Sequence, residues 1–348
     1  MILDFNFSKI YGIFTGMSRK RSTRVQNIKN KLIIRIRSGY YRAGERFFSN
    51  RAIAQYFGVS YQTAHRIMRE LEQEGWIERR EYSGSFVAGI SEPIRRVCLC
   101  FSNRANRPMS FGDRIIRLLT AHLDKTGIPW DKCDHPEQIS SDSLPIIWEY
   151  PELLSSLSNE RRFAVLVNAR PPVGIIKSHI DSVSVDDYSG GVAAAHLILA
   201  RVSRASEITV LQGPPQDNRN RERVAGFLSV LPRATVFTAG SWDYEKGYET
   251  AVQVAANEPR AVFCTNDRLA SAFIQYYKDI GRTLPGVVGF DNAPVSEQID
   301  LTTIAIPWDQ MIQTIVKIAE RRISGDTQTS IQYVLNTVPI IRCGIFHD

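Results

Sequence analysis

One short segment near the N-terminus places polar side chains where they would contact bases. From Ser60 to Leu71, apolar residues recur at helical spacing at Ala64, Ile67 and Leu71. The opposite face then carries polar and basic side chains, namely Tyr61, Gln62, His65, Arg66 and Arg69. Amide, imidazole and guanidinium groups bind base edges and phosphates. The pattern therefore indicates a helix that lies in a groove of DNA.

A second set of polar residues follows predicted strands in the C-terminal two thirds of the chain. Asn266 and Asp291 each follow a run typical of a buried strand, and Arg223 lies in a helical segment after another. Ligands of open α/β sheets bind at the carboxyl ends of the strands. Such groups suit sugar hydroxyls, and an aromatic such as Trp242 suits the C–H face of a sugar. The positions after the strands predict a ligand site, and the chemistry of these side chains agrees with a polyol.

The elements around the first set form a helix-turn-helix. A first helix is predicted by apolar positions at three- and four-residue spacing, Val25, Ile28, Leu32 and Ile36. Ser49 is a plausible N-cap of a second helix with Ile53 and Phe57 inward, and Gly58 would end it in the left-handed conformation. The third helix begins at 59–60, and two helices joined by a Gly-containing turn are typical of DNA-binding proteins.

A hairpin follows, with strands predicted at 76–80 and 85–88 around a turn at 82–84. The glycines, the helix start and this wing together resemble the GntR-family winged helix over about 65 residues. Two departures stand out. Phe47-Phe48-Ser49 replaces the usual Leu-Pro-Ser, and Tyr61 stands where an arginine usually follows the helix-opening residue. The operator preference of other members is therefore not transferred.

The resemblance implies DNA contacts residue by residue. It places a phosphate or base contact on Arg51, base-edge contacts on Gln62 and His65, and backbone contacts on Ser60 and Thr63. Gly84 would bring the wing to the minor groove or to a phosphate, and Tyr61 and Arg66 complete the predicted surface. Two alternatives stay open: Ser60 as a helix cap only, and Arg66 and Arg69 as solvated partners of nearby glutamates.

The C-terminal body alternates strands and helices, which predicts parallel sheets covered by helices. The ordered motifs in residues 184–307 resemble the effector domain of LacI/GalR-family regulators, which is similar to periplasmic sugar-binding proteins. They are Asp186-Asp187-Tyr188-Ser189-Gly190-Gly191, Arg221-Glu222-Arg223, Thr265-Asn266-Asp267, Gly289-Phe290-Asp291-Asn292 and Thr302-Thr303-Ile304. The predicted fold is thus an α/β chain, an N-terminal winged helix-turn-helix followed by a two-lobed periplasmic-binding-protein-like sensor, as in arabinose-responsive composite repressors.

The same resemblance implies effector contacts at Arg223, Asn266 and Asp291, and further ones at Trp242, Phe101 and Asp187. Core packing or helix capping would equally explain the last three. Asn266 also fits a strand-to-helix cap. The first lobe is less regular, and 144–148 is expected to be a displaced strand. Ligand identity therefore stays open between a sugar and a non-sugar such as a nucleoside.

Charge divides the chain in two. Residues 1–96 hold 18 Lys and Arg against 8 Asp and Glu, a net charge of +10, whereas residues 97–348 hold 25 against 28, a net charge of −3. A basic module on a near-neutral body suits a phosphate-binding head. We expect a disordered tail at 1–22, with Met1 or Met17 as the start, the winged helix at 23–90 and a linker at 91–96. The sensor and dimerisation domain would cover 97–348.

The lobes are predicted at about 97–184 with 306–333, and 185–305 with 334–348. No apolar stretch reaches the length of a membrane span and no signal peptide is evident, which favours a cytoplasmic protein without membrane contact. Five cysteines show no metal-binding spacing, and an odd number is a poor disulfide framework, so we expect them to be reduced. No metal or cofactor is predicted.

Three functional classes compete. The sequence lacks the serine-elbow, phosphate-loop and zinc-protease motifs, and offers no convincing Schiff-base lysine for the aminotransferase-like body that also follows some GntR heads, so we expect no enzyme. We predict a homodimeric regulator, by family precedent a repressor, whose binding to operator DNA responds to a small carbohydrate. A DNA-binding protein with a body that senses nothing is the alternative.

Overall fold

The computed structural model describes residues 24–36, 40–41, 44–81, 83–88, 93–108, 110–133, 135, 139–150, 152–154, 157, 162–171, 179–202, 204–326, 328 and 330–342. The chain divides into two compact units between Pro93 and Ile94. The predicted tail at 1–22, residues 91–92 of the predicted linker and Cys343 lie outside the described residues. Within them, no helix combines the length and apolar character needed to cross a membrane.

The N-terminal unit is a winged helix. Helices α1 (24–36), α2 (Asn50–Phe57) and α3 (Tyr61–Gln73) precede the antiparallel hairpin of β1 (Ile77–Arg80) and β2 (Gly84–Val87). Their apolar faces share one core, to which Leu32, Ile53 and Leu71 contribute fully buried side chains. Gly58 ends α2 in the left-handed conformation, as predicted. The predicted helix-turn-helix and wing are therefore confirmed.

The first sheet of the C-terminal unit is entirely parallel, and we call it, with its helices, the first lobe. Its six strands are β3 (Arg96–Phe101), β4 (Trp130–Lys132), β5 (Ser143–Trp148), β6 (Ala164–Val167), β7 (Ile180–Val185) and β13 (Gln332–Leu335), in the spatial order β13-β7-β6-β5-β3-β4. The run at 144–148, expected to be a displaced strand, is a central one with every side chain buried. Helix α4 (Phe111–Thr126) packs on this sheet through Ile115, Leu119 and Leu123.

The second sheet defines the second lobe. Its spatial order is β14-β12-β11-β10-β8-β9, parallel except for β14. The strands are β8 (Ile208–Gln212), β9 (Thr235–Thr238), β10 (Ala261–Cys264), β11 (Gly286–Asp291), β12 (Thr303–Ala305) and β14 (Val338–Ile340). The helices of this lobe are α5 (Asp187–Leu199), α6 (Asn218–Val230), α7 (Tyr244–Ala256), α8 (Asp267–Asp279) and α9 (Pro294–Gln298). Helix α10 (Trp308–Ile323) packs on α4 and β7 and so belongs to the first lobe.

The chain passes between the two sheets three times, after Val185, after Ala305 and between Leu335 and Val338. The third passage falls two residues beyond the predicted boundary at 333, because Val334 and Leu335 still pair with β7. Three parallel connecting segments are the structural requirement for two lobes that move as rigid bodies about a hinge.

The expectation that all the cysteines are reduced is wrong for Cys98 and Cys133, which form a disulfide with a Cα–Cα distance of 6.3 Å. Parallel pairing of β3 with β4 creates this contact, and the amide of Cys133 donates to the carbonyl of Leu99. A separation of 35 residues carries no spacing signal in the sequence. Cys100 and Cys264 are free and buried.

Candidate functional site

Helix α3 presents the polar face that its sequence predicts. Ala64, Ile67 and Leu71 are completely buried, whereas the side chains on the other face are exposed, namely Tyr61, Gln62, His65, Arg66 and Arg69. Ser60 caps the helix by accepting from the amide of Thr63, and the two hydroxyls lie 2.9 Å apart. Ser60 therefore acts as the N-cap in the free protein, and this cap fixes the first residue of the helix.

Three of the predicted contact residues carry unused hydrogen-bonding groups. Within the described chain, the side chains of Arg51, Gln62 and His65 form neither a hydrogen bond nor an ion pair, and all three are exposed. Arg66 differs, because its Nε donates to Glu70 at 2.8 Å as the solvated-pair alternative anticipated. The unpartnered set therefore coincides with the residues expected to contact bases and phosphate.

The wing brings together two residues that are distant in the sequence. Gly84 begins β2 at a φ of 104°, and the guanidinium of Arg46 lies 3.6 Å from the position that a Cβ at Gly84 would occupy. Arg46 forms a β-bridge with Phe86, which fixes it beside the hairpin. Arg46 was not among the predicted contact residues, although a basic residue shortly before the second helix was a usable signal.

In the C-terminal unit, the carboxyl ends of both sheets face one cleft. Of the predicted effector residues, four line it together: Arg223, Asn266, Asp291 and Trp242. The other two are not in this lining. Asp187 pairs with Arg223 and lines a neighbouring pocket that shares Glu149, Asn168 and Arg219 with the cleft. Phe101 is partly buried and packs against the first-lobe core beside Trp148, with ring centroids 6.0 Å apart.

Arg223 is the central group of the cleft floor. Its Nε donates to Asp187 at 2.7 Å, its Nη1 donates to the carbonyl of Thr265 at 2.6 Å and lies 3.0 Å from Oδ1 of Asp291. The guanidinium stacks on the ring of Phe290 at 3.7 Å. Among the described residues Nη2 has no hydrogen-bond partner, so one edge of this fixed guanidinium remains for a ligand.

Burial shapes the charges around Arg223. Desolvation raises the pKa of Asp187 and of Asp291, and the positive charge of Arg223 opposes that rise. Asp291 also has a φ of 107°, which is sterically unfavourable for any residue with a side chain. Its carbonyl accepts from Nε1 of Trp308 at 2.9 Å. Strain at a cleft carboxylate that is held by a buried cation is typical of a pre-organised binding group.

Asn266 has the capping role that the sequence left open. Its Oδ1 accepts from the amide of Leu269 at 2.8 Å and its Nδ2 donates to the carbonyl of Trp242 at 3.2 Å. The indole of Trp242 in turn donates to Asp217 at 3.1 Å. The cap and the cleft position are compatible, because a second lone pair of Oδ1 and a second hydrogen of Nδ2 are available to a ligand.

Two glycines allow the approach that builds this floor. A Cβ on Gly191 of α5 would lie 2.0 Å from the carbonyl oxygen of Arg223, and one on Gly226 of α6 would lie 2.0 Å from that of Tyr188. Helices α5 and α6 therefore touch backbone to backbone. Only this separation brings Asp187 of one helix within 2.7 Å of Arg223 of the other.

Contacts across the cleft join the two lobes, and the residues that form them were not among the predicted site residues. Glu149, which follows β5, lies 2.5 Å from Arg219 of α6. Arg107 contacts Asp243 at 2.6 Å, and Arg114 donates to the carbonyl of Asn292 at 2.7 Å. Arg219 was detectable as the residue one helical turn before Arg223. The other partners depend on the relative position of two lobes, which no local pattern contains.

Comparison with known proteins supports both halves. Residues 24–87 match the family model of bacterial regulatory proteins of the gntR family, and residues 165–299 match that of the periplasmic binding protein domain. The HTH-type transcriptional repressor PurR of Salmonella paratyphi B is 28% identical over 196 residues, which are 52% of this chain and 56% of that protein. The chain thus spans about half the length of the curated relatives that it matches.

Solved structures share the fold. A LacI family transcriptional regulator from Enterococcus faecium with bound ribose superposes with a TM-score of 0.61 at 20% identity, covering 72% of this chain and 98% of that one. The transcriptional regulator CelR in complex with cellobiose superposes with a TM-score of 0.60 at 18% identity, covering 86% and 100%. The chain therefore combines a winged helix that matches the gntR-family model with a unit that contains a match to the periplasmic binding protein domain and shares the fold of these regulators.

Proposed function

We propose that the protein is a transcriptional regulator that binds operator DNA through its winged helix and releases or retains it according to a small molecule in the cleft. The observation that carries this proposal is the presence, in one chain, of a GntR-type head with an unpartnered recognition face and a two-lobed ligand domain. The similar protein PurR is a transcriptional repressor, which supports repression as the sign of regulation.

The DNA-binding half of the proposal assigns a role to each exposed group. Gln62 and His65 contact base edges from the N-terminal part of α3, since the N-terminal residues of a recognition helix meet the bases in the major groove. Arg51 and the wing at Gly84 hold the backbone, and Tyr61, Thr63 and Arg66 flank them. One recognition helix reads only a few base pairs, so a homodimer on a pseudo-palindromic site is the proposed binding form. Such a regulator acts in the cytoplasm.

The sensing half of the proposal takes a carbohydrate-like effector. Nη2 of Arg223 and the carboxylate of Asp291 offer bidentate contacts to hydroxyls, and the ring of Trp242 offers an apolar surface. Regulators with this fold hold ribose and cellobiose. Closure of the lobes would alter the spacing of the two heads in a dimer, and the coupling must be reciprocal between ligand and DNA.

Selection of binding sites from random DNA, followed by titration with single variants, tests the DNA-binding half. Gln62→Ala and His65→Ala should reduce discrimination among operator variants, with ~1–3 kcal/mol lost per base contact. Gln73→Ala is the matched control, because Gln73 is exposed at the far end of the same helix. Selection without any enriched sequence would overturn the assignment.

A thermal-shift screen with sugars, sugar acids and nucleosides tests the sensing half, since a ligand at a hundredfold excess over Kd stabilises by ~2.7 kcal/mol. Asp291→Asn should weaken the ligand response and leave operator binding intact. Asparagine tolerates the positive φ of this position better than alanine does. A ligand response unchanged in this variant would remove Asp291 from the site, and loss of DNA binding would make it structural.

A further inference from the structure

The lining of the cleft contains more arginines than carboxylates. Six of the described residues that line it are arginines, against three carboxylates, Glu149, Asp243 and Asp291. Two further carboxylates outside this lining, Asp217 and Asp187, pair with Arg219 and Arg223. The arginines come from both lobes: Arg104, Arg107 and Arg114 from the first, and Arg219, Arg223 and Arg268 from the second. Guanidinium groups that converge on one cleft are the usual means of binding carboxylate or phosphate.

Two of the carboxylates are each shared by two arginines. Glu149 contacts Arg104 at 2.9 Å and Arg219 at 2.5 Å. Arg219 also contacts Asp217 at 2.6 Å, outside the cleft lining. Arg219 is thus paired with two carboxylates through Nε and Nη2, and among the described residues its Nη1 has no hydrogen-bond partner.

The same sharing occurs on the other side of the cleft. Asp243 lies 2.6 Å from Arg107 and 3.9 Å from Arg268, and Nη2 of Arg268 donates to the carbonyl of Pro108 at 2.8 Å. These arginines are therefore held in place by neutral and shared partners. Their positive charge is only partly neutralised.

Arg114 differs from the other five, because no carboxylate in the described chain lies within 4.0 Å of it. Its guanidinium is partly buried, donates to the carbonyl of Asn292 at 2.7 Å and stacks over the ring of Trp308 at 4.5 Å. Desolvation lowers the pKa of Arg114. The charges of Glu297, Asp309 and Asp267 act on Arg114 from beyond 4.0 Å and oppose this fall. A half-buried cation without a direct ion pair still favours a ligand that supplies a negative charge in contact with it.

Unsatisfied polar atoms lie in the same wall. Nε1 of Trp148 and Oδ1 of Asn168 are buried without a partner, and the two residues are 2% and 3% exposed. Both line the cleft with Arg114. Buried polar groups in native structures are almost always paired, so an open indole donor and an open amide acceptor in the lining of the cleft indicate a place for a bound group that both accepts and donates hydrogen bonds.

We infer that the effector is an anion, a polyol that carries a carboxylate or phosphate group, and that Arg114 binds this group. The inference rests on the proposed sensing function and narrows its ligand class. The hydroxyls would lie toward Arg223 and Asp291, and the anionic group toward Arg114 and the shared arginines of the first lobe. A neutral sugar would leave Arg114 without a direct ion pair.

Inorganic phosphate is the first probe, because it needs no knowledge of the polyol. At equal ionic strength, potassium phosphate should raise the melting temperature of the full chain more than potassium chloride does, and Arg114→Gln should remove most of this difference. Arg117→Gln is the matched control, since Arg117 is exposed one turn further along α4 and pairs with Asp113. An equal phosphate response in the wild type and in Arg114→Gln would overturn the inference.

Matched polyols identify the source of the anion. Ribose, ribose 5-phosphate and ribonate form one set, and glucose, glucose 6-phosphate and gluconate form another. We expect the phosphate or the carboxylate member to bind at least tenfold more tightly than its neutral parent, and Arg114→Gln to abolish that preference. A neutral sugar that binds as tightly as both of its anions would refute the anionic class and leave the sensor intact. Anion binding that never alters operator affinity would refute the sensor alone.

Discussion

The carboxylate of Glu149 lies 2.5 Å from Nη2 of Arg219, and this ion pair joins the end of a first-lobe strand to a second-lobe helix across the cleft. Both side chains are less than one fifth exposed. A partly buried, charge-assisted hydrogen bond is worth more than a surface pair. Contacts between protein side chains therefore hold the two lobes together.

A double-mutant cycle measures that contact. Glu149→Gln and Arg219→Gln should show a coupling energy of about 1–3 kcal/mol in the unfolding of the C-terminal unit, because each charge loses a desolvated partner. The matched cycle is Lys246→Gln with Glu249→Gln, an exposed pair on α7 for which about 0.2–0.5 kcal/mol is expected. Equal coupling energies in the two cycles, measured by urea unfolding, would show that the cross-cleft pair stabilises the unit no more than a surface pair does.

Gly226→Ala tests the backbone contact between α5 and α6. The added Cβ would lie 2.0 Å from the carbonyl oxygen of Tyr188, so the helices must separate and the contact between Asp187 and Arg223 must lengthen. We expect the unfolding free energy to fall by more than ~3 kcal/mol, as for severe overpacking.

Gly281→Ala is the control for this variant. Gly281 has a φ of 64°, and nothing lies within 4 Å of its added Cβ, so only the conformational cost of about 1–2 kcal/mol applies. Denaturant unfolding of both variants checks the prediction. If Gly226→Ala costs no more than the control does, the helices are not in backbone contact.

Acid should remove stability through Asp217. Arg219 and the indole of Trp242 lower the pKa of Asp217 from 3.8 to about 2, against the opposing effect of burial. A carboxyl whose folded pKa is depressed stabilises the protein above its unfolded pKa of about 3.9, and this stabilisation is lost as the pH falls toward 2. Asp217→Asn, which preserves the helix cap, should therefore cost up to about 2 kcal/mol at neutral pH and almost nothing at pH 2.

The measurement for Asp217 is the difference in unfolding free energy between wild type and variant at several pH values from 2 to 6. Glu249→Gln is the control, with an effect within ~0.5 kcal/mol throughout, since its carboxylate is exposed. A constant difference across this range would show that the pKa of Asp217 is not depressed by folding.

Arg46 should act through phosphate and not through bases. Its guanidinium lies beside Gly84 on the wing and not on α3, which carries the residues proposed to contact bases. Arg46→Ala should weaken binding to all DNA sequences alike and reduce the slope of log K against log salt by about 1. Arg79→Ala is the comparison, because Arg79 is engaged by Glu72 at 3.1 Å. An altered sequence preference in Arg46→Ala would place it at a base instead.

The sequence by itself determined the local elements and their chemistry. The spacing of apolar residues located the helices of the head, and their ends were marked by Ser49, Ser60 and Gly58. Runs of apolar residues located buried strands such as Ala261–Cys264. Asn266 and Asp291 were recognisable because residues that follow parallel strands collect at one edge. These signals are local, since periodicity, caps and turn residues act over a few positions.

Only the tertiary structure decided which distant residues meet. The resemblance implied a ligand contact at Asp187 with helix capping or packing as the alternative, and helix packing through Gly191 and Gly226 brings its carboxylate into a buried ion pair with Arg223. Phe101 packs against the first-lobe core, because apolar area is buried where the sheet meets its helices.

The charge of the cleft and the disulfide were likewise invisible in the sequence. Glu149 and Arg219 are 70 residues apart, and Cys98 and Cys133 are 35 apart, so neither pair has a spacing that a motif would reveal. Both contacts exist because strand order and lobe closure bring separate segments to the same place. Such contacts depend on the path of the whole chain, which no short window of residues contains.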